Sequence, residues 1–165
     1  MTRQYIAETI WHDPEVKNYF MLDVTNTIPA QIPKSFEGIE LLPKDEYHCT
    51  LVAPNKITDS LDDQAEIERS VTAYFMANPD AVQFDGLTDR LYVCREDGEM
   101  TLVAEARILG LDGLRRCIQS IVPEYKAILP HVTLLKSQNS PYGIGIHSAD
   151  DLANLCVQID PTELE

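Results

Sequence analysis

A chain of 165 residues fits one domain and is long enough to bury most of its apolar surface. With 44% hydrophobic and 24% charged residues it has the composition of an ordinary globular protein, and no apolar run approaches the roughly 20 residues that a membrane-crossing helix needs. The 27 acidic and 13 basic residues give a net charge of −14, which argues against a broad electrostatic footprint on DNA or long RNA, because such polymers are held mainly by lysine and arginine contacts to phosphates.

The first strand is expected over residues 5–11, followed by a turn at His12-Asp13-Pro14. Residues 19–24, rich in aromatic and apolar side chains, read as a second strand. Pro29, Pro33 and Pro43 punctuate a loop-rich stretch around a short segment at 38–42. Residues 47–52 read as a strand closed by Pro54-Asn55. The clearest helix spans 60–78: Ser60 with Asp63 resembles a capping box, and Asp62 and Asp63 sit where the helix dipole favours acids. Its apolar face is read as Leu61, Ala65, Val71, Tyr74 and Phe75. Strands are expected at 82–84, 90–95 and 100–106, the last two joined by the hairpin turn Glu96-Asp97-Gly98-Glu99. A second helix over 111–122 carries Leu114, Ile118 and Ile121 or Val122 on one face, and strands follow at 128–136 and 156–159. The order is an α+β plan in which strands, a motif strand and a helix occur twice, so a single domain over 1–165 with two similar halves is expected.

Cys49, Cys94, Cys117 and Cys156 are scattered without a Cys-x-x-Cys pair, which reads as reduced, mostly buried thiols in the cytoplasm. The first eight residues lack the long apolar stretch of a secretory signal.

The informative residues are two tetrapeptides, His48-Cys49-Thr50-Leu51 and His131-Val132-Thr133-Leu134. Side chains alternate along a strand, so His48 and Thr50 emerge on one face and Cys49 and Leu51 on the other; His131 and Thr133 oppose Val132 and Leu134 likewise. Each motif offers an imidazole and a hydroxyl to one surface while its other residues anchor the strand. Two such strands lining a groove would supply what phosphodiester transfer needs. A neutral histidine takes a proton from the attacking oxygen, and a protonated one gives a proton to the leaving oxygen. Threonine hydroxyls donate to the non-bridging phosphate oxygens. A single His-x-Thr is usually an incidental surface pair. Here two of only four histidines open matching tetrapeptides, a coincidence expected on the order of once in a hundred chains. No metal or other cofactor is expected, and no carboxylate cluster has metal-ligand spacing.

These motifs resemble those of the 2H phosphoesterase superfamily, which is defined by two His-x-Thr/Ser-hydrophobic motifs, one in each half of a pseudo-symmetric domain. The second often appears as Pro-His-x-Thr-Leu, as in Pro130-His131-Val132-Thr133-Leu134, with a basic residue two positions on, here Lys136. The resemblance covers the layout of roughly residues 1 to 160 and is specific at the two motifs. It implies a bilobal fold in which two antiparallel sheets form a concave groove with helices outside. It also implies metal-independent cleavage of 2′,3′-cyclic phosphates, 2′–5′ oligoadenylates or cyclic oligonucleotides, the last being second messengers that phage members destroy to blunt bacterial CBASS immunity. His48 and His131 would be the general acid and base in either order, with Thr50 and Thr133 holding the phosphate. The opening strand and the proline-rich 28–43 segment depart from the family pattern, and they would shape the substrate end of the groove.

Lys136 either contacts phosphate or is solvated, and the same holds for Lys56. Tyr142, on the loop after the second motif, either stacks on a base, a contact worth about 1–3 kcal/mol, or is an ordinary loop tyrosine. Trp11 is favoured as a core residue over a groove-lining one, with Tyr5 weighed beside it. Cys49 points away from the histidine face and is read as core rather than nucleophile. His12 and His147 match no motif, and Arg115 and Arg116 are placed on an exposed helix face. The expected partner is a small nucleotide or short oligonucleotide, with no long nucleic acid and no membrane. The protein is expected to be a cytoplasmic monomer, in the host cytoplasm if viral. The rival reading is a nucleotide-binding sponge or sensor that keeps the groove without turnover.

Overall fold

The structure, a computed structural model, describes residues 3–14, 18–28, 35–127, 129–137, 144, 146–160 and 162. In chain order the strands and helices are β1 (Gln4–Tyr5), β2 (Ile10–His12), β3 (Phe20–Asp23), β4 (Ser35–Phe36), β5 (Ile39–Glu40), β6 (Leu42–Pro43), β7 (His48–Val52), α1 (Pro54–Ile57), α2 (Leu61–Ala77), β8 (Gln83–Glu96), β9 (Glu99–Leu109), α3 (Leu111–Gln119), β10 (His131–Lys136), α4 (Ala149–Leu155) and β11 (Cys156–Ile159). The class is α+β, with a mostly antiparallel sheet and four α-helices among the described residues. The chain divides into two compact units. One holds Met1–Asp23, Thr50–Asp85 and Ile108–Ala127; the other holds Val24–Cys49, Gly86–Arg107 and Ile128–Glu165.

In the first unit the expected opening strand is two short ones. The Ile10 carbonyl accepts from the amides of both Ile6 and Ala7, at 2.9 and 3.3 Å, and this turns the chain back on itself. The β2–β3 pairing sets Ile10 opposite Leu22 and Trp11 opposite Met21, so the ribbon has two apolar faces. Trp11, Tyr19, Met21 and Ala53 cluster on one of them, which places Trp11 in a core. Tyr5 is exposed. On the other face Phe20 meets Phe75 of α2 at a centroid distance of 6.5 Å.

Helix α2 begins where the Ser60 hydroxyl accepts from the Asp63 amide at 3.2 Å, with Asp62 and Asp63 in its first turn. Its buried stripe is Ile67, Val71 and Phe75, spaced by four residues; Val71 and Phe75 belong to the face read from the sequence, Ala65 and Tyr74 are half-buried, and Ile67 takes the place expected of Leu61. Leu61 is 77% exposed because it is the first helical residue and lies off that stripe. Helix α3 packs Leu114 and Ile118 inward. Gly110, at φ +87°, precedes it with its backbone against the Ala81 carbonyl, where a side chain has no room.

In the second unit the strand order is β7-β10-β9-β8-β11, with β6 also paired to β10. The turn Asp97-Gly98 has positive φ at both residues, 52° and 81°, as a tight two-residue hairpin requires. The two strands expected at 82–84 and 90–95 are one, β8, running through Gly86 at φ +97°. Helix α4 was not expected. It is short, and its signal is a Ser148 cap accepting from the Asp151 amide at 3.1 Å.

The expectation of four reduced thiols is corrected. β11 pairs with β8 so that Cys156 lies directly opposite Cys94, and the two form a disulfide across 62 residues of sequence. Cys49 and Cys117 are free. No helix among the described residues is long and apolar enough to cross a membrane.

Candidate active site

The geometry of the motif strands follows from one pairing. Cys49 of β7 is the antiparallel partner of Val132 of β10, and both are fully buried. Paired residues share a face, so the flanking residues take the opposite one. His48 therefore lies across the ladder from Thr133, and His131 is its diagonal neighbour. In such ladders the directly opposite β-carbons stand about 5 Å apart and the diagonal ones about 7–8 Å. His48, His131 and Thr133 are each half-buried. The motif strands are thus hydrogen-bonded neighbours. Thr50 follows His48 by two residues on β7, and its hydroxyl donates to the Met21 sulfur at 3.2 Å.

The local sequence fixes the His131 ring. A residue before proline is driven to extended backbone, and Leu129 before Pro130 presents its carbonyl to His131 Nδ1 at 2.8 Å. The Pro130 carbonyl in turn accepts from the Ala106 amide at 2.8 Å. With Nδ1–H donating to Leu129, the Nε2 lone pair is left for chemistry. Burial holds the imidazole below its ordinary pKa, opposed by the Leu129 carbonyl, and the neutral form is favoured at neutral pH.

Lys136 reaches the same face by an irregularity. Strict alternation from His131 would put residue 136 with Val132, on the buried side. The β9–β10 register shifts between Thr133 and Leu135, so Thr133 opposes Val103 whereas Leu135 opposes Leu102 and Lys136 opposes Thr101. The extra residue, Leu134, is a β-bulge. Past it Lys136 shares the face of His131 and Thr133, and both Leu134 and Leu135 are buried.

Cys49 is fully buried, and desolvation pushes its thiol up to about 12, against a hydrogen bond from the His131 backbone. A thiol that remains protonated is no nucleophile. Tyr142 lies outside the described residues. Lys56 is exposed on α1, and Arg115 and Arg116 are exposed on α3. His12 is buried in the first unit, stacked on Phe20 at 4.3 Å and hydrogen-bonded to Asn18, whose amide nitrogen donates to Glu68 at 3.2 Å. The His147 amide donates to Asp151 at 2.8 Å, beside the start of α4.

One residue of the face escaped the sequence reading. Glu105 is the direct β9 partner of His131, with a side chain 17% exposed. Its Oε2 accepts from the Thr88 hydroxyl at 2.8 Å and lies 3.7 Å from Arg90 Nε. The available signal was a lone acid inside the apolar run Met100-Thr101-Leu102-Val103-Ala104-Glu105-Ala106. Among the described residues no three His, Cys, Asp or Glu side chains gather as a metal-holding group.

No protein-family model, curated protein or solved structure matches the chain.

Proposed function

We propose that this protein is a metal-independent phosphodiesterase of the 2H type, acting as a monomer on a small nucleotide by two-histidine general acid/base catalysis. The observation that carries the reading is the pairing of Cys49 with Val132. It sets two matched His-x-Thr-Leu tetrapeptides side by side in antiparallel sense, with the imidazoles on one face and the intervening residues in the core. A structural role for the motifs requires only the buried residues and gives no reason for the matched polar ones.

In this reading His131 is the general base. Desolvation favours its neutral ring, its Nδ1–H is committed to Leu129, and its Nε2 is left to accept a proton from the attacking hydroxyl or water. His48 is then the general acid that protonates the leaving oxygen. Thr133 donates to a non-bridging oxygen, and Lys136 offsets the phosphate charge. A 3′–5′ linkage would be opened by its own ribose 2′-hydroxyl, leaving a 2′,3′-cyclic product; an existing cyclic phosphate would be opened by water. The acidic composition favours small ligands, and among them 2′–5′ oligoadenylates and cyclic oligonucleotides. The pseudo-symmetric bilobal arrangement belongs to the same proposal.

The test is a product assay in EDTA with 2′,3′-cyclic AMP, a 2′–5′-linked oligoadenylate and 3′,3′-cyclic GMP-AMP, comparing the wild type with His48→Ala and His131→Ala. Turnover of one substrate that falls by several orders of magnitude in both variants, with binding largely retained, is the expected result. Binding without turnover in the wild type would replace the enzyme by a nucleotide sponge. Neither binding nor turnover would overturn the reading.

A further inference from the structure

The residue that faces His131 across the ladder has no part in the two-motif scheme. We infer that Glu105 is a positioning residue for His131, its carboxylate set on the neighbouring strand so that its negative charge stabilises the imidazolium form of that ring. The inference rests on His131 being the base of the proposed reaction, and it deepens that reading.

Three observations converge. First, Glu105 and His131 are register partners on one face, so their β-carbons lie about 5 Å apart. Second, the carboxylate is only 17% exposed and is restrained through one oxygen, Oε2, by Thr88 and Arg90. Neither contact uses Oε1. Third, the acid sits in a strand whose neighbours Val103 and Ala104 are fully buried, where a charge is costly unless partnered. A base in this position has a specific need. Burial favours the neutral ring at rest, but the ring must become a cation once it takes the substrate proton. A fixed negative charge on the next strand lowers the cost of that step without blocking Nε2, because it acts through space rather than by a hydrogen bond to the reacting nitrogen.

The other charged or titratable groups on this face are His48 on β7, Lys136 on β10, Arg107 and Glu99 on β9 and, on β8, Arg90 through its pairing with Glu105 together with Tyr92 and Glu96. Glu96 and Glu99 lie at the hairpin end, six residues along β9 from Glu105, so Glu105 is the acid set opposite His131, and Arg90 partly cancels it. The prediction therefore has two signs. Removing the acid lowers the proton affinity of His131, and removing Arg90 raises it.

The experiment is an NMR titration of the histidine side chains in the ligand-free protein for wild type, Glu105→Gln and Arg90→Met. Gln is isosteric and keeps an oxygen for the Thr88 hydroxyl. The expected result is a His131 midpoint lowered by about half to one pH unit in Glu105→Gln and raised by a smaller amount in Arg90→Met. In the substrate assay, the acid limb of kcat/KM should move down by the same amount in Glu105→Gln, with KM nearly unchanged. An unchanged His131 midpoint in Glu105→Gln overturns the inference, as does movement of both variants in the same direction. The titration needs no turnover, so an inactive protein with a shifted midpoint would overturn the enzymatic reading and leave the electrostatic coupling standing.

Discussion

The desolvation of the half-buried His131 ring makes a prediction about stability that is independent of any substrate. The ordinary pKa of histidine is 6.5, and burial holds the folded value below it. Between those two values the unfolded chain binds a proton at this site that the folded chain does not. Stability therefore rises with pH across that window, is fully present above 6.5, and is lost as pH falls from there toward the folded value. At pH 5.5 the unfolded side chain is about nine-tenths protonated, and the limiting loss from this one group is about 1.4 kcal/mol, RT times the logarithm of 11. At pH 7.5 the same expression gives less than about 0.1 kcal/mol. The measurement is a difference between two proteins that share every other ionisable group. Urea unfolding followed by circular dichroism at pH 7.5, 6.5 and 5.5 is compared between wild type and His131→Gln at equal m-values. The wild type should lose up to about 1.4 kcal/mol more than the variant on going to pH 5.5. Parallel curves would mean that the ring is solvated as in the unfolded chain. A wild type that gains relative to the variant would mean that its charged form is the favoured one.

Gly110→Ala must tolerate both φ +87° and a β-carbon driven into the Ala81 carbonyl; a loss of about 2–4 kcal/mol is expected by urea midpoint. Gly86→Ala, at φ +97° with open space around it, should lose only about 1–2 kcal/mol. Thr101 is fully buried, and its hydroxyl has no hydrogen-bond partner among the described residues, so Thr101→Val should raise stability by about 1 kcal/mol in the same experiment. A thiol titration of the denatured, unreduced protein should count two thiols, Cys49 and Cys117, and four after reduction. In the native protein the half-buried Cys117 should react first, because Cys49 is sealed in the core with its thiol pushed up to about 12.

Local features were legible because their causes are local. The α2 cap at Ser60, the Asp97-Gly98 turn and the motif strand at 48–52 are each dictated by residues within a few positions of one another. What the sequence hid are pairings between distant segments. Cys94 and Cys156 look like isolated cysteines until β8 and β11 are in register. Residues 5–11 carry enough β-formers for one strand, and only the double hydrogen bond to the Ile10 carbonyl divides them. The helix face was read correctly at Val71 and Phe75 and wrongly at Leu61, which was counted by residue type although it lies off the stripe that Ile67 shares with them.

The histidine face shows the same division at finer scale. Alternation alone places His48 with Thr50 and His131 with Thr133, and it needs no knowledge of the fold. Alternation also places Lys136 on the wrong side. A one-residue shift reverses every side chain beyond it, and the shift at Leu134 is a property of the β9 partner, whose residues Leu102 and Val103 take consecutive places opposite Leu135 and Thr133. Glu105 is hidden for the same reason. Its strand could be predicted and its facing direction guessed, but its pairing with His131 depends on the order in which β9 and β10 lie side by side. The two histidine motifs were therefore visible before the fold was known, whereas the face that Lys136 takes through a bulge and the pairing of Glu105 with His131 become visible only with the ladder.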